Sequence, residues 1–479
     1  MHFENPAEWL NQKKSASTLN YYIGELLFNK GVELMLFRNT LNEVSISDIL
    51  SLHDYAERVV GKPIEIETST AIAGALLKMN LIPSKVDIGK LNSEWTARKN
   101  DYESLEAFLN HELEDFKMNG NQFNYKPTDV VLYGFGRIGR LCARAIIEMT
   151  GLGAQLRLRA IVTRSNDATQ IKKRADLLRL DSVHGPFKGV IEVDADNSQL
   201  IINGEKVHMI ASNDPGSIDY TKYGIKDALV IDNTGVWRTQ DTLVKHTQSV
   251  GVKKALLTAP GKEMPNIVYG VNHREYEPTL TNTWSAASCT TNAIGPVLKV
   301  IEDKLGIEKG HIETIHAYTN DQNLLDNFHK KDRRGRSAAI NMVITETGAA
   351  KAVSKVIPEL GGKLTGSAVR VPTPNGSLAV MSLTLKNETS VQEIQDLVKD
   401  AALQGDLRNQ INYSIENELV STDIIGNSCC SVFDSPATKI SADGKNAVLY
   451  VWYDNEYGYT QQVIRLAKYI METQRKIYD

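Results

Sequence analysis

A cysteine flanked by hydroxyl-bearing residues sits in Ser288-Cys289-Thr290-Thr291-Asn292, and the apolar residues that follow, Ile294, Val297, Leu298, Ile301 and Leu305, recur at helical spacing. The spacing predicts a helix whose amino terminus carries Cys289, with Ser288 as its cap. The positive end of a helix stabilises thiolate over thiol, which makes a cysteine nucleophilic at neutral pH. A cysteine without such help is ordinarily a small buried hydrophobe. Cys142, Cys429 and Cys430 take that reading, the first on the apolar face of a helix and the vicinal pair with no base beside it. The base for Cys289 is His316, which ends the alternating run Ile312–His316 and precedes the polar stretch Tyr318-Thr319-Asn320-Asp321-Gln322. An imidazole titrating near neutrality can hold a thiolate as an ion pair and then exchange protons with it.

A second constellation handles phosphate. Gly134, Gly136 and Gly139 stand in G-x-G-x-x-G spacing, directly after an apolar run and at the start of a helix with Ile138, Leu141, Cys142, Ala145 and Ile146 on one face. One glycine makes the tight turn, one admits a pyrophosphate to the backbone, and one lets helix and strand pack closely. The helix terminus then offers free N–H groups to the phosphates. A carboxylate usually follows the second strand to bind the ribose 2′-hydroxyl. Here Arg164 follows it, and pairs with a 2′-phosphate in one reading. In the other it is simply solvated, and Asp167 does the carboxylate's work. Further anion donors are the cluster His329-Lys330-Lys331-Asp332-Arg333-Arg334-Gly335-Arg336, Thr347-Gly348 and Arg370. Guanidinium geometry matches phosphate oxygens. The cluster lacks the aromatic interleaving of a nucleic-acid platform beyond Phe328.

The elements that must position these residues change character along the chain. Tyr21–Phe37, Ile46–Val60, Ile72–Leu81 and the charged run from Ile88 to Met118 read as helices, and Asn119–Pro127 reads as a linker. From Thr128 onward, Val130–Tyr133, Leu158–Thr163, Ala228–Asp232, Ala255–Thr258 and Ile267–Gly270 are short apolar runs separated by helical patterns, as in a doubly wound parallel sheet. Beyond Cys289, Met381–Leu385 alternates as a half-buried antiparallel strand does, and Tyr459–Tyr469 is an amphipathic helix. The expected fold is α/β: an all-helical extension and linker over 1–127, a Rossmann domain over 128–288, an α+β catalytic domain with an antiparallel sheet over 289–454, and a C-terminal helix over 455–479 returning to the Rossmann domain.

Composition narrows the function classes. The 479 residues are 42% hydrophobic and 23% charged, which excludes a disordered chain. A net charge of −4 gives no electrostatic case for a nucleic-acid partner, and no apolar run is long enough for a membrane-spanning helix. The first residues, MHFENPAEWLNQKK, lack the apolar core of a signal peptide, and 4 cysteines make no disulfide framework. These features favour the cytoplasm.

The motifs resemble those of phosphorylating glyceraldehyde-3-phosphate dehydrogenases, in family order from about Asp129 to the end of the chain: YGFGRIGR (Tyr133–Arg140), DSVHG (Asp181–Gly185), ASCTTN (Ala287–Asn292), HAYTNDQ (His316–Gln322), TGAAKA (Thr347–Ala352), GKLTGSAVRVPTPN (Gly362–Asn375) and WYDNEYGY (Trp452–Tyr459). The resemblance implies an oxidoreductase of glycolysis or gluconeogenesis. Its cysteine attacks the aldehyde, with histidine as base; the oxidised thioester is then cleaved by inorganic phosphate. It implies Cys289 and His316 as catalytic residues, Thr319 and Arg370 around the substrate phosphate, and Ser288, Thr290, Arg334, Thr347 and Gly348 around the attacking phosphate. The cofactor positions it implies are Gly134, Gly136, Arg137, Ile138, Gly139, Arg164, Thr258 and Asn455, with no metal, and the assembly is a homotetramer. Its alternatives are erythrose-4-phosphate dehydrogenase, or a nucleotide- or RNA-binding protein on the same scaffold.

Three departures from the family bear on the cofactor. Arg164 stands where NAD-specific relatives usually carry aspartate, Asn327-Phe328 where they often carry Leu-Pro, and Asn213 where an arginine is often found. They imply use of both NAD and NADP, or a preference for NADP.

Overall fold

In the computed structural model, which describes residues 6–118, 127–149, 155–345 and 347–479, the glycine-rich turn and Cys289 both lie where extended chain passes into a helix. The chain divides into two units, one of Thr128–Glu148 and Leu156–Glu472, the other of Met1–Pro127, Met149–Gln155 and Thr473–Asp479. Residues 119–126 of the expected linker lie outside the described residues.

The larger unit contains two sheets of eight strands. In the first, the spatial order is Thr283–Ser285, Val252–Leu257, Ala228–Asp232, Thr128–Tyr133, Leu156–Thr163, Glu205–Ala211, Gln199–Ile202, Ile191–Asp194. Its first six strands run parallel, and the last two are added through antiparallel pairings. The central strands are buried along their length, which is why they read as continuous apolar runs. The winding reverses between Thr128–Tyr133 and Ala228–Asp232, so a crevice opens beyond the carboxyl ends of those strands. The run Ile267–Gly270 is not a strand. The Asn272 side chain accepts from Val268 N at 2.9 Å, and side-chain bonds of this kind compete with a ladder. The edge position is filled instead by Thr283–Ser285, too short to show a period.

The second sheet is mixed, in the order Val343–Thr345, Leu364–Val371, Ile307–Ala317, Ser377–Leu385, Asn446–Tyr453, Ser431–Asp434, Ile411–Ser414, with Lys439–Ile440 on Asn446–Tyr453. Most neighbours are antiparallel, but Ile307–Ala317 and Leu364–Val371 are parallel, bringing His316 opposite Arg370. Helix Cys289–Lys304 packs on this sheet, its residues Ile294, Val297, Leu298 and Ile301 fully sequestered.

The smaller unit is largely helical but not all-helical. Helices Pro6–Lys30, Ile46–Tyr55, Ile66–Lys78, Ile88–Arg98 and Leu105–Glu112 accompany a sheet ordered Asn39–Thr40, Glu33–Leu36, Ser84–Asp87, Lys476–Tyr478. The helix expected to run through Phe37 stops at Lys30. Gly31, at φ 66°, donates to Leu27 O while Val32 N donates to Leu26 O, a left-handed cap that closes the helix. The buried run Glu33–Leu36 then pairs as a strand. The long run from Ile88 is likewise interrupted, because Ser104 caps a new helix by accepting from Ala107 N. Leu19, Ile23, Leu26, Leu34, Ile72, Val86 and Phe108 share one core.

The expectation that residues 455–479 return as a piece to the Rossmann domain is corrected. Helix Tyr457–Ile470 packs on helix Arg137–Ile147, but the last residues leave it to form the edge strand of the smaller unit. Among the described residues no helix is long and apolar enough to cross a membrane.

Candidate active site

Helix Cys289–Lys304 begins as its sequence demands. Ser288 accepts from Thr291 N at 3.1 Å, a cap worth about 1 kcal/mol. The turn before it holds Ala287 at φ 56°, a left-handed conformation that costs a non-glycine residue about 1–2 kcal/mol. Tyr459 steadies that turn by donating its hydroxyl to Ala287 O at 3.0 Å. Asn292 donates back to Ala286 O and Ser288 O. Cys289 is therefore delivered on a rigid support, with part of its surface still open.

Its Sγ lies 3.7 Å from His316 Nε2. His316 Nδ1 is 2.7 Å from Ala317 O, an acceptor, so that nitrogen carries the proton and Nε2 turns a lone pair toward the sulfur. Arg370 also donates to Ala317 O, at 2.9 Å, which brings its Nη1 within 2.8 Å of Nδ1. Burial, then the Arg370 guanidinium, holds His316 down to about 3. Burial also pushes the Cys289 thiol up, with Arg370 and the Thr290 amide pulling the other way. Taken singly, each group resists its charge, so the proton passes between them only as a pair. Cys142 and Cys430, pushed up to about 12 by burial, have no base in contact.

The remaining substrate candidates gather around the Cys289–His316 pair, with Arg334 and Asp321 near enough to act electrostatically on both His316 and Arg370. Arg370 Nε and Thr373 Oγ1 are buried without a partner among the described residues, which leaves donors free beside His316. Arg334, Thr319 and Asp321 form a second group: both the Arg334 guanidinium and the Thr319 hydroxyl donate to the Asp321 carboxylate, and Arg334 Nε reaches Thr345 Oγ1 at 3.2 Å. Thr290 shares a hydrogen bond between its hydroxyl and Tyr453 OH, 3.1 Å away. Thr347 accepts from Ala349 N and Gly348 caps the short helix Ala349–Val353. Asn455 accepts from Ser377 Oγ at 2.9 Å, and the same hydroxyl accepts from Ala317 N. That chain ties Asn455 to the strand end carrying His316.

The crevice of the parallel sheet fits a dinucleotide. Gly134 has φ 92°, and a Cβ on Gly139 would stand 2.4 Å from Gly134 O. A Cβ on Gly136 would meet nothing within 4 Å, leaving an open cradle at the start of helix Arg137–Ile147. Ile138 follows in the first turn of that helix. Arg137 spans Asp181 and Glu456, with His184 Nδ1 at 3.2 Å. Thr258 donates to Asp232 O at 3.0 Å, fixing the next strand end along. Arg164 is exposed, and its side chain has no hydrogen bond or ion pair among the described residues. Asp167 is committed elsewhere: it caps helix Ala168–Arg179 through Gln170 N and accepts from Ser165. Each Asp167 oxygen thus already accepts one bond within the chain.

Tyr453, Asp321, Asp181 and Glu456 lie inside the quoted motifs, but the reading of the sequence assigned them no role. Tyr453 sets its ring edge-on to His316, centroids 5.8 Å apart. The carboxylates matter by pairing with distant arginines, which spacing does not reveal.

Comparison with known proteins follows the same division. The family model described as glyceraldehyde 3-phosphate dehydrogenase, NAD binding domain, matches residues 128–240, and that for the C-terminal domain matches residues 288–455. A glyceraldehyde-3-phosphate dehydrogenase-like protein of Pseudomonas aeruginosa (strain UCBPP-PA14) is 48% identical over 447 residues, covering 93% of this chain and 96% of its own. The glyceraldehyde-3-phosphate dehydrogenase of Clostridium pasteurianum is 43% identical over 347 residues, 71% of this chain and 98% of its own. Glyceraldehyde-3-phosphate dehydrogenase 1 of Bacillus subtilis (strain 168) is 42% identical over 342 residues, with coverage of 71% and 97%. The first alignment covers so much of this chain that it must run through most of the smaller unit.

Proposed function

The chain belongs to the glyceraldehyde-3-phosphate dehydrogenase family, an oxidoreductase family with an NAD-binding domain, and from that premise we propose that it is a phosphorylating enzyme converting D-glyceraldehyde 3-phosphate, inorganic phosphate and NAD(P) to 1,3-bisphosphoglycerate. The observation carrying this reading is the 3.7 Å approach of Cys289 Sγ to the unprotonated nitrogen of His316, at a helix amino terminus.

His316 takes the thiol proton as the sulfur adds to the aldehyde carbon and returns it to the alkoxide oxygen that forms, giving a hemithioacetal and a neutral imidazole. Arg370, whose Nε has no partner among the described residues, holds the substrate's own phosphate. His316 then accepts the hemithioacetal hydroxyl proton as that carbon is oxidised. The nicotinamide, when bound, supplies the hydride acceptor; Gly134, Gly136, Arg137, Ile138, Gly139, Thr258 and Asn455 are the residues to hold it. The product is a thioester on Cys289, which retains the oxidation energy until phosphate attacks. Ser288, Thr290, Arg334, Thr347 and Gly348 attend that second phosphate, with Arg334 exchanging Asp321 for the incoming anion.

The free Arg164 and the committed Asp167 support use of NADP beside NAD. A homotetramer is supported by the apolar side chains Leu324, Leu325, Phe328, Ile340, Met342 and Ile344, each more than half exposed within one segment. The four cysteines, none of them in a disulfide among the described residues, suit the cytoplasm. The test is formation of NADH and NADPH from glyceraldehyde 3-phosphate with and without inorganic phosphate. Multiple turnovers requiring phosphate are expected, and phosphate-independent turnover would contradict the proposal.

A further inference from the structure

Thr473–Asp479 behaves in the smaller unit as a docked peptide. Lys476, Ile477 and Tyr478 pair parallel with Ser84, Lys85 and Val86, extending a sheet that would otherwise end on Ser84–Asp87. A parallel ladder gives affinity from main-chain bonds, whereas selectivity comes from pockets for individual side chains. Three acidic residues supply those pockets. Arg475, almost wholly buried, sets Nη1 2.7 Å from Glu33 Oε1, and Lys85 holds the other Glu33 oxygen at 2.7 Å. Tyr478 donates to Glu94 at 2.7 Å and approaches Glu112 at 3.3 Å, with its ring edge-on to Phe116 and under the Lys90 ammonium. Lys90 also donates to Asp479 O at 2.7 Å.

We propose that the smaller unit is a peptide-binding module, selective for an extended segment with arginine three residues before tyrosine, and that residues 473–479 of this chain are its ligand. An ordinary edge strand is held by apolar burial. This one, besides the packing of the Tyr478 ring on the core, is anchored by a buried guanidinium and a phenol, each on its own carboxylates, and carries exposed Lys476 between them. Lys85 keeps one Glu33 oxygen paired, and the other loses a buried charge-assisted bond unless arginine fills the site, so Glu33 favours arginine over neutral side chains. The inference stands apart from the catalytic reading, since it uses none of the residues assigned there.

The test uses the chain ending at Glu472 and a fluorescent peptide of sequence TQRKIYD. The shortened chain is expected to bind the peptide, and to bind Arg475→Ala or Tyr478→Ala versions at least about tenfold more weakly. The full-length chain, its site filled, is expected to bind the peptide at least about a hundredfold more weakly than the shortened one. Equal binding by the two chains, or indifference to both alanine replacements, would overturn the proposal. Should the shortened chain lose amide protection over residues 33–36 and 84–87, the full-length double variant Arg475→Ala/Tyr478→Ala serves instead. Its failure to take up the unmodified peptide would equally overturn the proposal.

Discussion

His316 and Arg370 stand opposite each other in register on neighbouring parallel strands, and both donate to the same acceptor, Ala317 O, at 2.7 and 2.9 Å. One carbonyl thus fixes the tautomer of the base and the position of the cation. The free nitrogen of His316 is turned to Cys289, and the remaining donors of Arg370 are left for an anion.

Replacing Arg370 by leucine removes that anion site. A charge-assisted hydrogen bond is worth about 1.5–3 kcal/mol, so kcat/KM for glyceraldehyde 3-phosphate is expected to fall about 10- to 100-fold, mainly through KM. Steady-state kinetics with an unchanged KM would remove Arg370 from substrate binding.

For His316→Asn the effect should fall on kcat. General base catalysis contributes about 10²- to 10⁴-fold, and a loss in that range is expected. The pH profile of Cys289 alkylation by iodoacetamide should also move upward, because burial then acts on the thiol without a base in contact. Superimposable profiles for the two proteins would show that the 3.7 Å contact transmits no proton.

Arg164→Asp tests the cofactor reading. An exposed guanidinium with no protein partner is available to a 2′-phosphate, whereas aspartate repels one and accepts from a 2′-hydroxyl. The ratio of kcat/KM for NADP to that for NAD is expected to drop by at least about tenfold. Equal losses with both cofactors would contradict the assigned role.

Asp181 links the cofactor turn to pH. Burial works to raise its pKa but is outweighed by the His184 and Val183 amides and the Arg137 guanidinium, which together hold it at about 2, below the ordinary 3.8. Its stabilising contribution, about 2 kcal/mol, is therefore present above the ordinary value and fades as pH falls through about 4 toward 2. Urea midpoints of the unaltered chain and Asp181→Asn should differ at pH 7 and converge as pH drops from 5 to 2. A gap that stays constant would contradict this origin.

Much of this machinery was legible because it is local. The three glycines, the capped helix behind Cys289 and the buried central strands each declare themselves within about a dozen residues. What stayed hidden depends on register or on distant partners. His316 and Arg370 are 54 residues apart, and only the parallel pairing joins them. The helix read through Phe37 failed because a buried strand and a buried helical turn have the same apolar look, and Gly31 alone marks the break. The docking of residues 476–478 on residues 84–86 spans nearly the whole chain, beyond the reach of any periodicity.

The central claim is that Cys289 carries a phosphoglyceroyl thioester that phosphate must release. The chain is mixed with glyceraldehyde 3-phosphate and oxidised cofactor without phosphate, quenched in acid and mapped by mass spectrometry. The expected result is one phosphoglyceroyl group on the peptide containing Cys289, formed with one equivalent of reduced cofactor and discharged when phosphate is added. Reduced cofactor accumulating over many turnovers while Cys289 stays unmodified would contradict it.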